Sequence, residues 1–204
     1  MDQMYESNNM VLLRGELVEL PQFSHENHGR QFDRFSLEIQ RLSGNRDTVP
    51  VMAEHSLLAG LDPSAGDMIE VTGQLRSYNN RSGEGRRLVI SVLAGQVQIT
   101  QGQPDNQVEL QGRICREPVY RRTPLGREIC DVMLAVERRY GRMDYLPCIL
   151  WGSLARMAAA CAKGTELWLQ GRLQSRTYYK QTDQGGEERT AYEVSVTTAQ
   201  ALPD

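Results

Sequence analysis

GSLARMAAACAKGTELWLQGRLQS, residues 152–175, changes period in its middle. From Leu154 to Cys161 the apolar residues fall at helical spacing on an alanine-rich run. Ser153 is placed to cap that helix and Gly164 to stop it. From Glu166 onward the spacing drops to two, through Leu167, Leu169 and Leu173, with a glycine at 171 that predicts a bulge. A helix therefore runs directly into a strand. Ahead of it, QVELQGRICRE (107–117) alternates around Gly112. REICDVMLAVERRY (127–140) alternates through Ile129, Val132, Leu134 and Val136, and a short turn at YGRMD leads into a third strand. Behind it, AYEVSVTTAQA (191–201) reads as a closing strand. The order is three strands, a helix, two strands.

The first half of the chain repeats the second. At a shift of 97, Asn9 meets Asn106, Val11 meets Val108, Leu13 meets Leu110 and Gly15 meets Gly112. Pro21 meets Pro118, Gly29 meets Gly126, Leu37 meets Leu134, Arg41 meets Arg138, Asp47 meets Asp144 and Pro50 meets Pro147. After one inserted residue Gly66 meets Gly164, Gly73 meets Gly171, Leu75 meets Leu173 and Ser77 meets Ser175. Glycines and prolines occupy positions with special backbone demands, so their coincidence marks one module written twice. The element order is that of the OB-fold, a five-stranded Greek-key barrel with its helix between strands three and four. The expected fold is all-β, two tandem OB-fold barrels, each with one such helix. The expected division is 1–100 for an N-terminal barrel, 101–106 for a linker and 107–204 for a C-terminal barrel.

The 204 residues carry a net charge of −3 at pH 7, which excludes a strongly basic nucleic-acid binder. The balance is uneven. Residues 1–100 hold nine arginines against thirteen acidic residues, a balance of −4. Residues 101–204 hold fourteen basic residues against thirteen acidic, a balance of +1. Phosphate contact is expected in the second half. The four cysteines, all in that half and without a CxxC pair, read as reduced thiols. No signal peptide and no membrane-length apolar run is present, so a cytoplasmic protein without a membrane partner is expected. His25 and His28 beside Glu26 form an HxxH in a polar loop with no further ligand, so no metal is expected there. No nucleophile–base arrangement or phosphate loop points to an enzyme, and no cofactor is implied.

Gly112, Pro118, Gly126, Leu134-Ala135, Trp151-Gly152-Ser153-Leu154-Ala155 and Gly171-Arg172-Leu173 together make residues 106–201 similar to the bacterial single-stranded-DNA-binding protein family. The resemblance implies sequence-independent binding of single-stranded DNA in replication, repair or recombination, by stacking of bases on aromatic side chains. The positions carried over are Tyr140, Tyr145, Trp151 and Tyr178, with Tyr179 beside them. The aligned residues of the first copy are Ser43, Thr48, Glu54 and Asn80, none aromatic, so the first barrel reads as a copy without the stacking surface. Stacking tolerates any base, and arginine adds phosphate pairing and cation–π contact. Arg116, Arg121, Arg122, Arg127, Arg138, Arg139, Arg142, Arg172, Arg176 and Lys180 are the basic candidates. Because a strand alternates its faces, Arg116, Arg122, Arg138, Arg172, Arg176 and Lys180 are favoured. Trp168 reads as core or inter-barrel packing. The resemblance also implies a homodimer supplying four OB-folds. The family's acidic C-terminal tip has no counterpart in AQALPD, so recruitment of repair enzymes by that route is not expected. The rival reading is a protein-interaction adaptor of a replisome or primosome with little DNA binding of its own.

Overall fold

The computed structural model describes residues 8–79, 88–182 and 185–203. The first half runs β1 (Asn9–Leu17), β2 (Gln22–Asn27), β3 (Arg30–Gln40), β4 (Arg46–Glu54), α1 (His55–Leu58), β5 (Met68–Asn79) and β6 (Leu88–Ile99). The second half runs β7 (Asp105–Ile114), β8 (Val119–Arg122), β9 (Glu128–Glu137), β10 (Met143–Trp151), α2 (Ser153–Ala159), β11 (Glu166–Thr182) and β12 (Gly185–Ala201). In each half the strands close on themselves. The circuit is β1-β3-β4-β6-β5 in the first and β7-β9-β10-β12-β11 in the second. The closing pairs β4–β6 and β10–β12 are parallel, and the other pairs of each circuit are antiparallel. These are two five-stranded Greek-key barrels.

The matched residues of the repeat form the cores. Leu13, Leu37 and Leu75 fill one barrel, and their counterparts Leu110, Leu134 and Leu173 fill the other, all fully buried. Strand alternation places them there, because every second residue of β1, β3, β7 and β9 faces inward. Gly73 and Gly171 sit where β5 and β11 are bulged against their partners, at Thr72/Gly73 and Gln170/Gly171. A Cβ at either would run into a backbone carbonyl, that of Leu93 or of Ser195, so only glycine lets the neighbouring strand approach this closely.

Four local features differ from the sequence reading. The polar loop after each first strand contains an extra short strand, β2 or β8, hairpinned onto β3 or β9. The first helix is a single turn with no buried residue, whereas α2 buries Ala155 and Ala158. Gly60 and Pro63 follow α1 closely and cut it short. The cap of α2 is Gly152, at φ 54°, so Ser153 is already the first helical residue. The helix then ends at Ala159, ahead of the Gly164 turn.

The barrels share one continuous sheet. β1 and β7 pair antiparallel, with Val11 opposite Val108, Asn9 opposite Leu110 and Leu13 opposite Asn106. Val11 and Val108 are themselves repeat equivalents, so a pseudo-twofold axis passes through their pair. Two further junctions obey that symmetry. The fully buried Asp47 accepts a bond from the Ser175 amide at 2.9 Å and is held by Arg41. The fully buried Asp144 accepts from the Ser77 amide at 2.5 Å and is held by Arg138. The segment between the barrels is fixed to β1 by Arg14, which donates to the Gln103 carbonyl at 3.0 Å. Cys130 and Cys148 are buried, Cys115 and Cys161 are partly so, and all four are free; burial pushes the Cys148 thiol pKa far up.

Candidate nucleic-acid interface

Alternation divides β10 between two faces. Asp144, Leu146, Cys148 and Leu150 face the core and are buried, which leaves Tyr145, Pro147, Ile149 and Trp151 on the outer face. The register carries that outer face across neighbouring strands. Ile149 lies beside Ser195 of β12, and Ser195 lies opposite Arg172 of β11. Along β11 the residues Arg172, Gln174, Arg176 and Tyr178 then share the same side. On the other flank, Trp151 lies opposite Ile129, and Ile129 opposite Arg121 of β8. One face of the second barrel therefore gathers Tyr145, Trp151, Tyr178, Arg172 and Arg176, with Arg121 at its rim.

Each group is fixed in its own way. The Trp151 indole N–H donates to the Ser195 hydroxyl at 3.2 Å, which holds the ring while leaving it partly exposed. The Arg176 guanidinium lies 6.0 Å from the centre of the Tyr178 ring, within cation–π range. Arg172 is half-buried; its Nη2 lies 3.5 Å from the Gln174 side-chain oxygen, and its Nε is buried without a partner among the described residues. Tyr140 stands at the tip of the β9–β10 turn, at φ 65° and 98% exposed. A bulky residue adopts the left-handed region only where the turn demands it, and here the turn presents the whole ring to solvent. Tyr179 is exposed on the opposite side of β11 from Tyr178, as strand alternation requires.

Two of the favoured arginines are placed elsewhere. Arg138 sits in the inter-barrel junction, where its guanidinium holds buried Asp144 and donates to the Ser77 carbonyl at 2.8 Å. Arg122 is opposite Glu128 on the other side of β8, against the face that leads to Arg156 of α2, and pairs with Glu128 at 3.6 Å. The neighbouring Arg121 takes the outward side and bonds Asp131 at 2.8 Å. A one-residue difference in register exchanges the two. Arg116 is exposed in the loop after β7. The Lys180 side chain and Asn80 lie outside the described residues. Trp168 lies on the outer side of β11 and donates to Glu109 of β7 at 3.1 Å.

On the first barrel, β4 offers Thr48 and Glu54 at the places of Tyr145 and Trp151, and Glu54 pairs with Arg30 at 3.5 Å. That face still carries one ring pair: His25 stacks on Phe32, with centres 5.1 Å apart and planes 9° from parallel. Sequence alignment alone misses it, because Phe32 has no aromatic counterpart in the second copy. Across the pseudo-twofold axis, a groove of about 730 Å³ is lined by β1, β5, β7 and β11 residues that include Leu12, Gln107, Glu109 and Arg172.

Residues 105–202 match the profile of the Single-strand binding protein family. The chain is 32% identical to the single-stranded DNA-binding protein of Thermus thermophilus over 212 residues, 89% of this chain and 79% of that protein. It is 25% identical to the single-stranded DNA-binding protein of Deinococcus radiodurans over 229 residues, covering 95% and 75%. Its fold is similar to the crystal structure of the wild-type single-stranded DNA binding protein from Thermus aquaticus. That similarity has a TM-score of 0.79 at 23% identity, over 96% of this chain and 93% of that one.

Proposed function

The chain belongs to the single-strand binding protein family, and from that premise we propose that it is a non-catalytic, sequence-independent binder of single-stranded DNA acting in replication, repair or recombination. The observation that carries this reading is the outer face of the second barrel, where Tyr145, Trp151 and Tyr178 share a side with Arg172 and Arg176. Aromatic faces take bases of any sequence at about 1–3 kcal/mol each, while guanidinium groups neutralise phosphates. The division of labour follows the two halves. Residues 107–204 form the principal binding barrel. Residues 1–100 form a barrel with Thr48 and Glu54 in place of the stacking residues and contribute to assembly, and the expected link 101–106 shortens to 101–104, because Asp105 and Asn106 already belong to β7. Two chains meeting across the groove on the pseudo-twofold axis would bring four barrels together. Among the described residues no helix is long and apolar enough to cross a membrane, which fits a cytoplasmic role.

The test is tryptophan fluorescence during titration with poly-dT at low and high salt, for the full chain and for Trp151→Ala. The expected result is saturable quenching that weakens as salt rises and is lost in the variant, which retains Trp168 as its only tryptophan. Absence of quenching at low salt with the fold intact would reject DNA binding.

A further inference from the structure

The two inter-barrel junctions obey the same symmetry but differ in charge. At Asp47 one guanidinium, Arg41, meets one fully buried carboxylate, together with the Ser175 amide. At Asp144 there are two guanidinium groups. Arg138 holds the carboxylate as Arg41 does, and Arg76 adds a second ion pair at 3.1 Å. The repeat equivalent of Arg76 is the uncharged Gln174, which bonds Glu193 at 2.7 Å instead. The fold therefore needs one arginine per junction, and the Asp144 junction carries a surplus positive charge. Both guanidinium groups remain about a quarter exposed, whereas the carboxylate is sealed. Burial pushes the Arg76 pKa down and the nearby Arg138 charge adds to that, against the pull of Asp144, and an anion reaching the pair would offset the repulsion between the two guanidinium groups.

Two tyrosines flank the same point, one from each barrel. Tyr78 follows Ser77 on β5, shares the outward side with Arg76, and is 54% exposed. Tyr145 of β10 donates its backbone N–H to the Ser77 hydroxyl at 2.7 Å and lies on the outer face that leads to Trp151. Ser77 is thus adjacent in the chain to Tyr78 and bonded to the backbone of Tyr145. In the mirror junction the place of Tyr78 is taken by Arg176 and the place of Tyr145 by Thr48.

We propose that this junction is a nucleotide subsite built jointly by the two barrels: Arg76 and Arg138 take one phosphate of a single strand, and Tyr78, on the same side of β5 as Arg76, receives the adjoining base. The inference rests on the single-stranded-DNA reading and makes the first barrel a direct contributor to the second barrel's site. The strand then runs from Trp151 along β10 to the junction rather than ending at Tyr145.

The test uses the full chain with Tyr78→Ala and Arg76→Gln, the latter installing the residue found in the mirror junction and so preserving the fold. Poly-dT titrations across a salt series give affinity and slope, with thermal melting as the control for folding. Tyr78→Ala is expected to weaken binding about five- to a hundredfold, the range for loss of one stacked base. Arg76→Gln is expected to lower the magnitude of the log–log salt slope by about 0.7, one phosphate on a single strand. Wild-type affinity and slope in both variants, with Trp151→Ala still impaired, would overturn the subsite and leave the DNA reading standing. Failure of the wild-type chain itself to bind would instead remove the DNA reading.

Discussion

Arg121 and Arg122 are adjacent, and only the outward one adjoins Trp151. Arg121 lies opposite Ile129, next to Trp151, whereas Arg122 lies opposite Glu128 on the side that leads to α2. Substituting Arg121 with alanine should reduce affinity for poly-dT several-fold and flatten the salt slope; Arg122→Ala should leave both close to wild type. Equal losses in the two would show that β8 does not hold this register in the complex. The residue scale also shows where sequence reading stopped short. Tyr145, Trp151 and Tyr178 were readable as positions carried over from the family resemblance, and the strand register sets them on one side with Arg172 and Arg176. The face of β8 was not readable, because all four of its residues, VYRR, are exposed and no apolar alternation fixes their direction. Arg138 carried a readable signal of its place in the junction. It is matched by Arg41 in the copy without stacking aromatics, and an arginine kept in both copies serves what both copies do, which is to hold the other barrel.

At the scale of elements, the junctions tie β5 of the first barrel to β10 of the second and β11 of the second to β4 of the first. Removing Asp144 leaves Arg76 and Arg138 half-buried without their acceptor and the Ser77 amide unbonded. Loss of one partner of a buried pair costs about 3–5 kcal/mol. For a chain of this size that corresponds to a fall in melting temperature on the order of 10 °C. Asp144→Ala should therefore lower the melting temperature by that amount, and Asp47→Ala by less, because Asp47 neutralises one guanidinium rather than two. Differential scanning calorimetry of both variants decides it; a larger loss at Asp47 would contradict the charge asymmetry. The strand order and the position of α2 were readable from periodicity, while β2 and β8 were not. Those short hairpin strands are held by ladder bonds to β3 and β9 rather than by burial, and ladder bonds leave no mark in an apolar pattern.

At the scale of the whole molecule, the outer side of the sheet around Val11 and Val108 is the surface available for a second chain. A dimer of this 23.1 kDa chain is expected from sedimentation equilibrium, at twice that mass. Its interface should include Leu12 and Gln107, which line the groove on the pseudo-twofold axis, and Leu12→Glu should shift the equilibrium towards the single chain. A single-chain mass for the wild type across the micromolar range would reject the dimer. The repeat itself was plain in the sequence, but its symmetry axis was not, because pairing of β1 with β7 is a contact between distant segments that no local pattern encodes. That pairing has a consequence for dilution. Two separate barrels joined by six opposed residue pairs and two polar junctions would come apart as their concentration fell. Joined by the short link that Arg14 holds against β1, they meet at an effective concentration set by the link and not by the cell. The pair therefore behaves as one particle at any copy number. Because its halves are encoded separately, a change in one is never forced upon the other: Asp144 can gather two arginines while Asp47 keeps one.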